Sequence, residues 1–352
     1  MFLVSCLFVY GSGQVAYWTS GAQTGKLADF CQWDCGWYSR LIRDGYDVFP
    51  QSGAYKGFAS WAFFPLFPLT TKACQWLLQL DVFTATVLAS KFEYFTAILA
   101  FLLWMRPHLE GLNEYFFAAA LVALNPYLIY GHAGYSEPLY FTLCCLGFWA
   151  LERQKWILAG ILGACLSASR LVGLFFSLAY VIVVLRELGW RYLLKDRSLR
   201  ILIGLALCPL GLALYALYLY HRAGDALAFV HIQVAWGRAA TNPLVVMADS
   251  FQLNGWFRVW SVMAAAGLLV SAWLIRRRPE YGIFLAISIL LAMSSGLPWS
   301  FPRYLWWQPP LLYAIFLCLR RSLPAWLIYL ALAGGMASFM VLEWFTGHNL
   351  VV

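Results

Sequence analysis

Long hydrophobic runs alternate with short polar interruptions along almost the whole of this 352-residue chain. The runs lie near 2–18, 83–105, 115–131, 138–151, 156–169, 171–185, 201–220, 256–275, 281–298, 304–319 and 324–342. A helix that crosses a bilayer needs about 20 mostly apolar residues. The pattern therefore predicts an all-α polytopic membrane protein with about 9–11 transmembrane helices. The count is a range because 138–151, 156–169 and 171–185 are short for a span, and the last two could join as one tilted helix. The segments 19–82 and 221–255 break the pattern. The first mixes aromatics, charges and the proline-punctuated stretch "WAFFPLFPL". An apolar body with a polar rim suits amphipathic helices laid on a membrane surface, and Pro65 and Pro68 would divide that body into turns.

Composition agrees: 62% of residues are hydrophobic and 11% charged, against roughly a quarter charged in soluble domains. The chain reads as a single transmembrane domain over 1–352. The run at 2–18 lacks a basic leader and a clear cleavage site, so it reads as a retained span. The net charge of +8 does not indicate a nucleic-acid partner, because no basic stretch interleaved with aromatics lies outside the runs. If each run crosses once and the chain starts in the cytoplasm, 13 of the 24 basic residues fall on short cytoplasmic loops: Arg106, Arg153, Lys155, Arg186, Arg191, Lys195, Arg197, Arg200, Arg276, Arg277, Arg278, Arg320 and Arg321. The opposite side carries Lys26 and nine others on much longer loops. Basic residues concentrate on the cytoplasmic side, so 19–82, 221–255 and the turns at 132–137 and 299–303 are expected to face away from it.

The polar residues on that outer face carry the candidate chemistry. "FCQWDCGWYSRLIRDGY" sets Asp34 between Trp33 and Trp37, with Tyr38 following. Were the segment helical, Trp33 and Trp37 would share one face, and Arg40 or Arg43 would stand near the carboxylate. "GYSEP" places Tyr135, Ser136 and Glu137 at the mouth of two spans. "SASRLVG" places Arg170 between two apolar runs. "FVHIQVAWGR" groups His231 with Gln233, Trp236 and Arg238, and "FPRYLWWQPP" puts Arg303 beside Tyr304. Charges at membrane depth are costly and tend to line a polar cavity. Several arginines on one face could together hold a phosphate. Lys91 and Glu93 are two apart in a span, do not face each other, and leave their partners open.

Other chemistries lack support. There is no GxGxxG, P-loop, HExxH or GxSxG, so no nucleotide site and no cofactor are expected. Nine cysteines are mostly apolar fillers. Cys31 and Cys35 bracket Asp34 and could form a disulfide or bind metal. No histidine stands at zinc spacing, so no metal is expected. His108, His132, His221, His231 and His348 read as interface histidines.

"QWDCGWY…GY", "FFPLFPL" (which contains Phe64 and Pro65), "NPY…GYSE", "SRLVG" and "FPRYLWWQPP" follow one another over about residues 30–310. In this order they resemble the glycosylphosphatidylinositol mannosyltransferase II family (phosphatidylinositol-glycan class V type) and its prokaryotic relatives. Cys35-Gly36 departs from the family pattern after the Trp-Asp pair. The resemblance implies a GT-C glycosyltransferase fold, a site under an extracytoplasmic first loop, a polyprenyl-phosphate-linked sugar donor such as dolichyl phosphate mannose, and a catalytic aspartate at Asp34. The acceptor would be a lipid or glycolipid within the membrane. The membrane would be the plasma membrane of a prokaryote, which the compact chain favours, or the endoplasmic reticulum of a eukaryote.

The residue inventory fits that chemistry. A glycosidase usually needs two carboxyl groups, because its leaving alkoxide must be protonated. A polyprenyl phosphate leaves as an anion, so one base for the acceptor hydroxyl and cations for the phosphate suffice. The competing readings are a transporter or flippase of an amphipathic solute, expected to carry broken helices with paired charges at midplane, and a non-catalytic scaffold.

Overall fold

The computed structural model describes residues 1–21, 27–53, 56–191, 198–253, 255–296 and 298–346. Lys26, Lys195, Arg197 and His348, used above, lie outside the described residues. Every hydrophobic run is helical over most of its described length, and no strand occurs among the described residues. Helix α1 (Phe2–Ser20) is followed by two helices in the first loop, α2 (Asp34–Asp44) and α3 (Leu66–Leu78). Pro65 precedes α3, and Pro68 sits in its first turn, where a missing amide costs nothing. The amphipathic α2 buries Cys35, Tyr38, Leu41 and Ile42 and exposes Gly36, Arg43 and Asp44. Next come α4 (Val82–Met105), α5 (Leu112–Ala123), α6 (Glu137–Glu152), α7 (Trp156–Ser169), α8 (Phe176–Leu188), α9 (Leu199–Leu207) and α10 (Leu210–Ala223). The second loop holds α11 (Ala228–His231) and α12 (Pro243–Gln252). The chain continues through α13 (Trp256–Ile275), α14 (Pro279–Met293), α15 (Phe301–Trp306), α16 (Pro309–Leu319) and α17 (Leu323–Thr346).

Among the described residues, four stretches are long and apolar enough to span by themselves: Val82–His108, Leu171–Leu188, Trp256–Ile275 and Leu323–Thr346. Four apolar helices are shorter, and α9 and α10 form a pair bent by 42°. The chain is a multi-pass membrane protein.

Several breaks depart from the hydrophobic pattern. The run at 156–185 is two helices, not one: Arg170 is extended (φ −160°, ψ 149°) between α7 and a 3₁₀ turn, Leu171–Phe175. There Gly173 lies so close to the Leu166 carbonyl that a Cβ would collide with it. Pro209 interrupts the run at 201–220. The run at 115–131 ends its α-helix at Ala123 because Asn125-Pro126 follows. The Asn125 side chain then caps the Tyr127 amide at 2.8 Å and donates to the Trp306 carbonyl at 2.7 Å.

The chain divides into two compact units. The first comprises 1–36, 71–146 and 302–352. In it α1 packs on α17 and α4 on α5, around the buried aromatics Phe30, Tyr94, Tyr130, Tyr135, Trp307 and Trp344. The second comprises 37–70 and 147–301. In it α13 packs on α14, and α7 packs on α9 and α10. The α7–α9 contact is a close backbone approach at Gly160 and Gly204, where a Cβ on the first would strike the second, the small-residue packing common between membrane helices. The buried Glu280 accepts from Arg186 at 2.6 and 2.7 Å, with Arg278 at 3.8 Å.

Candidate active site

Asp34 is the first residue of α2, where a carboxyl group complements the helix dipole. Trp33, just before it, has φ 47°, a left-handed conformation that costs a bulky residue roughly 1–2 kcal/mol. Trp33 and Trp37 therefore do not share a helix face, as the spacing suggested. The turn is held from several directions. The Cys35 amide donates to the Gln32 carbonyl at 3.1 Å and the Gly36 amide to the Trp33 carbonyl at 2.9 Å. The Asp34 amide donates to the Tyr135 hydroxyl at 3.2 Å, and that hydroxyl donates to the Gln32 carbonyl at 3.3 Å. Cys31 and Cys35 form a disulfide, which settles that open alternative. The Trp33 ring meets Trp344 edge-on at 4.6 Å.

The cation beside Asp34 is Arg303, on the one-and-a-half-turn helix α15. Its Nη2 lies 2.8 Å from Asp34 Oδ2, and its Nε lies 3.5 Å from Glu137 Oε1. Nη2 also donates to the Tyr304 hydroxyl at 3.0 Å. The guanidinium lies 4.9 to 5.4 Å from the ring centres of Tyr304, Tyr135 and Tyr130. The side chain of Arg303 is 6% exposed, that of Glu137 2% and that of Asp34 20%. Of the three, the aspartate is the most accessible. Burial works against the arginine's charge, but Tyr304, Asp34 and Glu137 outweigh it and hold its pKa above the ordinary arginine value. Burial, helped by Asp34, pushes the Tyr135 phenol up, so it stays neutral and serves as donor and acceptor. Arg40 and Arg43 were the expected neighbours of Asp34. Instead, Arg40 pairs with Asp47 at 2.6 Å and Arg43 with Asp44 at 3.0 Å.

Helix α4 supports this cluster from within the first unit. Ser90 Oγ accepts from the Tyr135 amide at 3.3 Å and lies 3.2 Å from the Tyr135 carbonyl, anchoring the segment that leads to Ser136 and Glu137. Ser136 is buried, and its carbonyl accepts from the Tyr140 amide at 3.0 Å in the first turn of α6. Lys91 also has its partner here. Its Nζ lies 2.9 Å from His132 Nδ1, and His132 Nε2 lies 2.8 Å from Ser5 Oγ. His132 is fully buried, not an interface histidine. Burial and Lys91 hold its pKa well below the ordinary value, so the imidazole is neutral.

Trp33, Asp34, Tyr135, Ser136, Glu137, Arg303 and Tyr304 thus come together within the first unit. The remaining candidates belong to the second unit. Trp37 stacks on Phe63 at 5.7 Å and meets Trp236 edge-on at 5.4 Å. Tyr38 lies edge-on to Phe63 and Phe67, and Phe64 packs on Tyr215 and Phe229. The Pro65 carbonyl accepts the Leu69 amide in the first turn of α3. Arg238 donates to Gln233 at 3.1 Å, while His231 turns to Asp225 at 2.6 Å. Arg170 caps α7. Sequence reasoning missed Tyr130 and Trp344, whose only signal is membership of aromatic-rich segments.

No protein-family model and no curated protein matches the chain. Among solved structures it is similar to ArnT from Cupriavidus metallidurans bound to undecaprenyl phosphate, with a TM-score of 0.50 and 15% identity. That match covers 93% of this chain and 62% of ArnT, so the chain spans about three-fifths of that structure's length. The Archaeoglobus fulgidus oligosaccharyltransferase aligns with a TM-score of 0.48 and 15% identity, over 99% of this chain and 53% of that one. The likeness to ArnT gives the architecture its class: the chain has the GT-C glycosyltransferase fold.

Proposed function

We propose that this protein is an inverting membrane glycosyltransferase. It moves a sugar, mannose in our reading, from a polyprenyl-phosphate carrier to a hydroxyl of a lipid-linked or glycolipid acceptor on the extracytoplasmic side. The observation that carries the proposal is the Asp34–Arg303–Glu137 cluster, an accessible carboxyl group held by a buried guanidinium inside an aromatic wall. The undecaprenyl phosphate bound to ArnT supports the donor class. The family resemblance of the ordered motifs supports mannose. The basic-residue bias supports the sidedness, as does the Cys31–Cys35 disulfide, since such bonds persist in oxidising compartments.

In the reaction the acceptor oxygen attacks the anomeric carbon from the face opposite the phosphate. Its proton passes to the Asp34 carboxylate, and the bond from the anomeric carbon to phosphate oxygen breaks with its electron pair staying on the phosphate. Arg303 orients Asp34 before the donor arrives. The incoming phosphate then competes for the same guanidinium edge, which loosens Asp34 toward the acceptor. Arg170, Arg238, Gln233 and Trp236 remain candidates for substrate contact on the grounds of their sequence setting.

The test is transfer of radiolabelled mannose from mannosyl polyprenyl phosphate by the full-length protein in lipid nanodiscs containing EDTA. Transfer should proceed with the chelator and fail with a soluble nucleotide sugar. Asp34→Asn should cut turnover by about 10²–10⁴-fold while donor binding persists. Near-normal turnover in that variant would remove Asp34 from the mechanism. Activity with the nucleotide sugar that EDTA abolishes would remove the GT-C chemistry altogether.

A further inference from the structure

The disulfide between Cys31 and Cys35 closes a small ring around Gln32, Trp33 and Asp34, and no step above uses it. Cys35 is fully buried, and Cys31 is half-buried. The bridge lies against Gly134, which has φ +77°, and a Cβ on that glycine would sit 2.5 Å from Cys35 Sγ and 3.0 Å from Thr86. The sulfur thus occupies the space a side chain would take, directly beside Tyr135. The bridge begins before the left-handed Trp33 and ends in the first turn of α2. Between these points the Asp34 amide and the Gln32 carbonyl both bond to the Tyr135 hydroxyl. Two short-range restraints, one covalent and one through Tyr135, therefore converge on the residue that Arg303 holds.

A bridge stabilises a whole fold mainly by restricting the unfolded chain, and the gain rises with loop size. A loop this small still keeps about two-thirds of the gain of a 15-residue loop, but that gain says nothing of where Asp34 points, and the geometry around the bridge does. We propose that the Cys31–Cys35 disulfide is a positioning device for Asp34, fixing the backbone turn that aims its carboxyl group. This rests on the reading of Asp34 as the base. Reduction by an added dithiol, two electrons and two protons giving two thiols, should release the turn and leave the fold in place. Misplacing a reacting group by about 1 Å costs about 100-fold in rate.

The experiment uses the full-length protein in nanodiscs with mannosyl polyprenyl phosphate, before and after dithiothreitol, with both thiols counted by alkylation. Reduction should lower kcat by about 10- to 100-fold, shift the donor KM by less than about 3-fold and lower the melting temperature by no more than about a few degrees. Removing the dithiol and reoxidising should restore kcat. Cys31→Ser should start at the reduced level and ignore the reagent. Hydrogen exchange read independently of turnover should speed up at the amides of residues 32–36 and stay unchanged elsewhere. Unchanged kcat with both thiols alkylated would overturn the proposal. So would a joint loss of kcat and of the melting transition, which would make the bridge a global staple. A protein without transferase activity that still shows the confined exchange response would refute the function proposed above and bear out the anchoring.

Discussion

Arg303 Nη2 lies 2.8 Å from Asp34 Oδ2, so the accessible carboxyl group is already held by a buried cation from the far end of the chain. The same guanidinium faces Glu137 through Nε and lies over three tyrosine rings. A planar guanidinium can serve all of these partners at once; an ammonium is a point charge and cannot.

Arg303→Lys should therefore lower turnover by about 10- to 100-fold although the charge is kept. Arg303→Ala leaves the buried Glu137 without this cation, a change that typically costs about 3–5 kcal/mol. Thermal melts of the two variants, run alongside turnover, separate these effects. An unchanged melt for Arg303→Ala would show that the ion pair does not support the fold.

Gly134→Ala forces a side chain into a left-handed position already filled by Cys35 Sγ and Thr86. Overpacking costs about 1–3 kcal/mol, and the backbone adds about 1–2 kcal/mol, so the melting temperature should fall. Gly36→Ala is the matched control: nothing lies within 4 Å of its Cβ position, and in a helix alanine is favoured by about 0.5–1 kcal/mol. Equal melts for the two variants would contradict the packing described around Tyr135.

Sidedness follows from the basic residues and can be read chemically. Ser52→Cys and Arg277→Cys place thiols at exposed positions in the first loop and after α13. An impermeant maleimide applied to intact cells should modify the first and spare the second, as mapped by peptide mass. Modification of Arg277→Cys from outside would reverse the orientation.

The helices were legible because apolar side chains in a bilayer must cover a hydrogen-bonded backbone, and a helix does this locally. Their breaks were less so: Pro209 was visible, but the extended backbone at Arg170 depends on how closely Gly173 meets Leu166. In the site, Asp34, Glu137 and Arg303 each stood out as a charge among aromatics. Their convergence did not, because sequence proximity pointed to Arg40 and Arg43, which α2 carries to Asp47 and Asp44. Spacing made Trp33 and Trp37 helix neighbours. Instead, the Trp344 ring, and the Tyr135 hydroxyl bonded to the flanking Asp34 amide and Gln32 carbonyl, hold Trp33 in a conformation that local preference disfavours.

The buried Lys91 bears on how the chain enters the membrane. A lysine in the middle of a helix raises its insertion cost by about 2.5–3.5 kcal/mol, and Lys91 is 7% exposed within α4. When α4 leaves the ribosome, α1 has already been made, and with it Tyr10, whose ring lies 5.3 Å from Nζ. His132, the hydrogen-bonding partner at 2.9 Å, is synthesised only after α5. Until it docks, the ammonium has the aromatic faces of Tyr10 and Phe30 beside it and lacks the His132 nitrogen. Helix α4 therefore cannot settle alone in lipid at its full stability. It leans on α1 and is completed by the segment that carries Tyr135 and Glu137, so that segment is docked against α4 before Arg303, far later in the chain, is made.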